Sequence, residues 1–160
     1  MTLRFSFEEE ISPLNLSCVK QFDVFLKDCF QRYFIETVPS YHTITVYLQK
    51  KMSVPLEEMR AWWFDWQSTE NRLQDCTSKI LKLPVCYDEE FALDIERIME
   101  FSGLTYDEVV KLHSEKIYDV YLMGFLPGFP YLGVLDKSLH VPRLKVPRKY
   151  VAAGTVGIGG

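Results

Sequence analysis

Leu3, Phe5 and Phe7 alternate with Arg4 and Ser6, the period of two expected of a half-buried strand, whose successive side chains point to opposite faces. The period then lengthens. Behind Ser12-Pro13, which reads as an N-cap with proline at the first helical position, Val19, Phe22, Leu26, Cys29 and Phe30 recur at helical spacing. The spacing predicts a helix from about residue 13 to 30. Tyr33 to Val38 reads as a second strand, Pro39-Ser40 as a turn, and His42 to Leu48 as a third strand with Ile44, Val46 and Leu48 on one face. Leu56 to Gln67, opening after Pro55 and carrying Met59, Trp62, Trp63 and Trp66, is a second helix. Ile80 to Val85 supplies a predicted fourth strand.

The order βαββαβ is the ferredoxin-like pattern, two helices over one face of an antiparallel sheet, so an α+β ferredoxin-like domain is expected over residues 1–82. It holds no constellation of catalytic residue types. The tryptophans could form a binding platform, but their helical spacing favours packing. Polar residues from Gln67 to Lys79 thin out the hydrophobicity, and a second domain, residues 83–160, opens at Leu83-Pro84. There Phe91 to Phe101 is a predicted helix that Gly103 can end in left-handed conformation, and Thr105-Tyr106-Asp107-Glu108 has the capping-box form for a helix reaching about His113. Tyr118 to Phe125 is strand again, and Val151 to Ile158 one more. That last strand has nothing after it to pair with, so the chain is expected to end inside a domain, the remainder absent or supplied by another chain.

Gly124 to Pro130, GFLPGFP, combines glycine, proline and aromatics without a charge. Connections are usually polar, so Phe125, Phe129 and Tyr131 are expected to press against a wall or line a cavity. Two readings stay open: a structural turn that packs these rings, or a pocket lining. Pro127-Gly128 has the chemistry of a type II turn. In Pro142-Arg143 and Pro147-Arg148, proline holds the backbone extended while each arginine offers a planar fork suited to carboxylate or phosphate, with surface salt bridges as the alternative.

The 160 residues are 48% hydrophobic and 14% aromatic, enough to build a core rather than a disordered chain. A formal charge of −4 argues against a nucleic-acid partner, which selects a basic face. No stretch approaches the roughly 18 apolar residues of a membrane span, and the start, MTLRFSFEEE, lacks a signal peptide's apolar core. A cytoplasmic address is the expectation. Cys18, Cys29, Cys76 and Cys86 form no CxxC pair and His42, His113 and His140 stand alone, so no metal site is expected and the thiols are read as core fillers.

The segment from Leu83 to Gly160 closely resembles the family that contains the B component of 5-oxoprolinase, allophanate hydrolase subunit 1 and the KipI-like kinase inhibitors, the carboxyltransferase domain of subdomain C/D type. The anchors are PVCY at Pro84, the His113 and Tyr118 pair, GFLPGFPYLG, the doubled Pro-Arg and the final VAAGTVGIGG. FEEEIS and VPSYHTITV are similar to its N-terminal domain at a looser level. The resemblance implies a small α+β domain followed by a cyclophilin-like β-barrel, here truncated, over residues 83–160.

It also implies a function: one subunit of an ATP-dependent 5-oxoprolinase, a lactam hydrolase that converts 5-oxoproline to glutamate. ATP would bind in the complex, on this chain or a partner, and the isolated chain is expected to be inactive. The implied partners are a paralogous carboxyltransferase-type chain (the C component, KipA-like) and a LamB/YcsF-type A component. A KipI-like inhibitor of a sensor histidine kinase and a carboxyltransferase component of an allophanate hydrolase or urea carboxylase system are the alternatives. His113 and Tyr118 are the nearby residues with proton-transfer chemistry, although for His113 a helix-end histidine, favoured by the helix dipole, is the preferred reading. Gly124, Phe125, Pro127, Gly128, Phe129, Tyr131, Arg143 and Arg148 are the candidate substrate- or anion-binding residues.

Overall fold

In the computed structural model residues 2–49, 54–68 and 79–159 are described, so Cys76 and most of the polar stretch before Lys79 lie outside the described residues. The elements are β1 (Thr2–Ser6), α1 (Pro13–Phe30), β2 (Phe34–Ser40), β3 (Thr43–Leu48), α2 (Leu56–Ser68), α3 (Ile95–Ser102), α4 (Tyr106–Ser114), β4 (Asp119–Met123) and β5 (Pro130–Gly133). This is a mixed α/β arrangement with antiparallel sheets, divided into two compact units that do not follow chain order: Met1–Lys79 with Asp119–Gly133, and Ile80–Tyr118 with Val134–Gly160.

In the first unit an antiparallel sheet runs β1-β3-β2, with Phe5 opposite Ile44 and Thr37 opposite Val46. Helix α1 starts where the sequence predicts because the Ser12 hydroxyl accepts the Asn15 N–H at 3.2 Å. The Asn15 amide in turn donates to the carbonyls of Glu8 and Glu10, fixing the entry to the helix. Val19, Phe22 and Leu26 meet Ile44, Val46 and Leu48 of β3 and Met59, Trp62 and Trp66 of α2 in one buried cluster. The tryptophans pack: Trp62 stacks on Phe30 at 4.6 Å and Trp63 meets Phe22 edge-on at 5.3 Å. Each fully buried side chain of this size contributes roughly 1.5–3 kcal/mol. A second, two-stranded sheet of β4 and β5 belongs to the same unit.

Several expectations fail. Ile80 to Val85 forms no strand, and Ile80, Leu81, Leu83 and Val85 are exposed. An apolar run becomes a strand where a neighbouring backbone offers its ladder of hydrogen bonds, and among the described residues none pairs with it. Val151 to Ile158 is not a strand either: Ala152–Thr155 turns, with Gly154 at φ +85° and the Thr155 N–H donating to the Ala152 carbonyl at 3.3 Å. Of the thiols expected in the core, Cys18 is half-buried while Cys29 and Cys86 are exposed. Cys29 lies in the last turn of α1, past the stripe that meets the sheet.

The second unit has no strand among its described residues. The predicted helix from Phe91 begins only at Ile95, because the Phe91 and Ala92 N–H groups fold back onto the Asp88 carbonyl in a turn. It ends as expected at Gly103, φ +71°, whose N–H donates to the Met99 carbonyl. The capping box of α4 forms: the Thr105 N–H donates to Glu108 Oε2 at 2.8 Å and the Glu108 N–H to Thr105 Oγ1 at 3.4 Å. Val109, Leu139 and Val141 are buried here.

Candidate functional site

In the first unit β4 and β5 pair with Val120 opposite Leu132 and Met123 opposite Pro130, and Gly124–Phe129 forms the tip. The type II turn predicted at Pro127-Gly128 is present: Gly128 has φ +80° and the Phe129 N–H donates to the Leu126 carbonyl at 3.0 Å. The Gly124 N–H donates to the Phe129 carbonyl at 3.0 Å, so it closes the hairpin instead of facing an anion. Phe125 has φ +65°, and the Leu126 N–H reaches back to the Gly124 carbonyl at 2.8 Å, a tight three-residue reversal that a residue with a Cβ rarely adopts.

The rings of this run are not pressed on a wall. Phe125 is 81% exposed and Phe129 41%, and they pack on one another: Phe125 to Phe129 at 5.7 Å, Phe129 to Tyr131 at 5.2 Å. The backbone hydrogen bonds of the loop close on themselves, so the tip holds its shape without a wall behind its rings. Two clefts of the first unit lie elsewhere, one of about 270 Å³ against Leu3, Phe5, Met59 and Trp63, the other of about 780 Å³ beside Lys27, Arg32, Ile35 and Gln49.

Behind the tip, Tyr121 is 3% exposed and takes the Tyr41 N–H on its carbonyl at 3.2 Å, with the two rings stacked at 6.0 Å. A Cβ on Gly133 would come within 3.1 Å of the Tyr121 ring, which is why glycine stands there. The Tyr121 hydroxyl and His42 Nδ1 are buried and find no hydrogen-bond partner among the described residues. Burial, with Tyr131 nearby, raises the Tyr41 pKa.

The second unit brings His113 and Tyr118 together, ring centres 5.9 Å apart. His113 sits in the last turn of α4 and shares a 2.6 Å hydrogen bond between Nδ1 and the Tyr87 hydroxyl, while the Tyr118 hydroxyl donates to the His113 carbonyl at 3.0 Å. Tyr87 is itself fixed by the Tyr106 hydroxyl, which donates to its carbonyl at 2.6 Å. Burial lowers the His113 pKa and raises those of Tyr87 and Tyr118, so the cluster is neutral at physiological pH.

Arg148 makes a two-pronged pair with Asp94, Nη1 to Oδ2 at 2.6 Å and Nη2 to Oδ1 at 2.8 Å. That hydrogen bond holds the Asp94 carboxyl below its ordinary pKa. Arg97 donates to the Pro142 carbonyl, fastening the first Pro-Arg pair to α3, and Arg143 is exposed. Among the described residues no group of three or more His, Cys, Asp or Glu could hold a metal. Sequence reasoning missed Tyr41, Tyr87, Asp94 and Tyr121. Tyr87 lies in the PVCY run and Tyr41 in VPSYHTITV, whereas Asp94 and Tyr121 lie in none of the quoted motifs.

A family profile described as carboxyltransferase domain, subdomain C and D, matches residues 1–160. The chain belongs to that family. It is 39% identical over 129 residues to the B component of 5-oxoprolinase from Escherichia coli O157:H7, and 34% identical over 142 residues to that of Bacillus subtilis. Each match covers 79% of this chain and 57% of the relative, so the chain spans little more than half the length of these curated relatives. The same component from Haemophilus influenzae is 43% identical over 91 residues, 57% of this chain and 43% of its own. The crystal structure of TTHA0988 aligns with 92% of this chain and 28% of that one at a TM-score of 0.75 and 23% identity, a likeness of fold. Among the described residues no helix is long and apolar enough to cross a membrane.

Proposed function

We propose that the protein acts as part of the B component of an ATP-dependent 5-oxoprolinase, converting 5-oxoproline to glutamate together with a paralogous carboxyltransferase-type C component and a LamB/YcsF-type A component. The observation that carries this reading is the 39% identity, over 129 residues, to a protein of that name. Opening the lactam breaks a C–N bond: oxygen from water enters the new carboxylate and the departing nitrogen gains a proton. His113 is the group for that proton. Its Nδ1 is occupied by Tyr87, which leaves Nε2 to face a substrate, and a neutral imidazole can accept or donate near pH 7.

Tyr118 holds the end of α4 through the His113 carbonyl and so sets where the imidazole stands. In the first unit the tip formed by Gly124, Phe125, Pro127, Gly128 and Phe129, with Tyr131 behind it, offers apolar surface for substrate; in the second unit Arg143 offers positive charge for an anionic group. Arg148 already holds Asp94, so nucleotide binding is assigned to a partner chain, and this chain alone is inactive. The fold proposed is a ferredoxin-like domain over residues 1–82 followed by a partial cyclophilin-like barrel over residues 83–160, in a cytoplasmic enzyme.

The test is reconstitution: the protein is co-expressed with both partner chains and ATP-dependent glutamate release from 5-oxoproline is measured. Activity that needs this chain supports the reading. A complete, folded complex that releases no glutamate sinks it.

A further inference from the structure

Tyr41 occupies a position where local rules call for a different residue. Ser40 pairs with Thr43 across the β2–β3 ladder, which leaves Tyr41-His42 as a two-residue loop. Tyr41 has φ +35° at the first loop position, the conformation that makes glycine the favoured residue in such hairpins. Among the described residues the other non-glycine with positive φ is Phe125, at the tip of β4–β5 in the same unit. Strain of this kind persists only where the surroundings over-determine it.

The surroundings of Tyr41 are β4. Its N–H donates to the Tyr121 carbonyl at 3.2 Å and its ring stacks on the Tyr121 ring at 6.0 Å. That carbonyl accepts at the ladder irregularity between Val120 and Leu122, where Tyr121 has no cross-strand partner on β5. Tyr121 is held on its other side by Gly133, whose missing Cβ admits the ring. Three residues beyond Tyr121 the chain enters the tip at Gly124, and the tip's own rings run back through Phe129 to Tyr131.

We infer that Tyr41 is a positioning residue: the β2–β3 hairpin holds β4 through it, and thereby fixes the Gly124–Phe129 tip in the strained conformation that presents Phe125. The role in catalysis rests on the assignment of that tip to substrate binding; the mechanical link does not. A residue acting in this way touches no substrate, and its loss is read in how well the tip is held.

The test uses Tyr41→Gly, which accepts positive φ without penalty and so retains the turn, and Tyr41→Phe, which keeps ring and backbone. Amide NMR spectra of the intact protein are compared for Gly124 and Gly128. In the reconstituted complex, KM for 5-oxoproline and kcat are measured. The expected result is displaced and broadened Gly124 and Gly128 signals in Tyr41→Gly, with KM up roughly fivefold or more and kcat little changed, and wild-type behaviour in Tyr41→Phe. Unmoved glycine signals in a folded Tyr41→Gly overturn the link while leaving the tip's assignment standing. Moved signals with unaltered kinetics overturn the role in the reaction and the assignment of the tip with it.

Discussion

Arg148 grips Asp94 with both prongs of its guanidinium, across 54 residues of chain. The pair is two-pronged, the geometry in which arginine differs most from lysine. It ties the second Pro-Arg segment to the start of α3. Because the bond from Arg148 lowers the Asp94 pKa, its stabilising contribution is present above the ordinary carboxyl value of about 4 and is lost as pH falls through the depressed folded value. Arg148→Ala and Asp94→Asn should therefore lower Tm by similar amounts at pH 7, with the gap to wild type closing in acid. Both side chains are more than a third exposed, so the gap is small. An Arg148→Ala protein with unchanged Tm at pH 7 and lost activity in the complex would instead make Arg148 a substrate ligand.

His113 carries the opposite sign for its class. Burial lowers its folded pKa, so the cost of charging a buried imidazole is absent above about 6.5 and grows as pH falls towards the folded midpoint, then levels off. An NMR titration should place the His113 midpoint below the ordinary value. Tyr87 and Tyr118 stand against it, and burial raises the pKa of both hydroxyls. His113→Gln should remove this part of the pH dependence of Tm and, if His113 transfers the proton, reduce turnover in the complex by about 10²–10⁴-fold. A midpoint at or above the ordinary value would show that the imidazole is not desolvated.

Tyr121 buries a hydroxyl that nothing among the described residues satisfies. A buried unpaired polar group costs about 1–3 kcal/mol, so Tyr121→Phe, which keeps the ring against Tyr41 and Gly133, should raise stability by about 1 kcal/mol. The measurement is the denaturant midpoint at constant m-value. A destabilised Tyr121→Phe would mean that the hydroxyl is engaged.

What was legible in the sequence was local. Ser12-Pro13, the Thr105 to Glu108 box, Gly103 and Pro127-Gly128 each complete their hydrogen bonds within a few residues, and all four stand where the pattern put them. The family likeness was legible for the same reason, being carried by contiguous motifs. The errors required knowledge of a distant partner: Ile80 to Val85 has the composition of a strand and finds no ladder among the described residues, and the 81% exposure of Phe125 depends on what does or does not pack against the tip. The pairs Tyr41–Tyr121 and Asp94–Arg148 join residues far apart in the chain, with no spacing rule to announce them.

Phe125 allows strain and ring to be separated. With φ +65° and its side chain 81% exposed, the residue gives up backbone freedom that its own burial does not offset. Phe125→Gly and Phe125→Ala both delete the ring, but alanine keeps the left-handed penalty and glycine removes it. Glycine should therefore be the more stable of the two by about 1 kcal/mol, against the usual order at an ordinary position. If the ring contacts substrate, both variants should lose activity in the complex to the same extent despite their different stabilities. Were activity to follow stability across the pair, the conformation of the tip would matter and the ring would not. A glycine variant less stable than alanine would show that the tip does not hold Phe125 under strain.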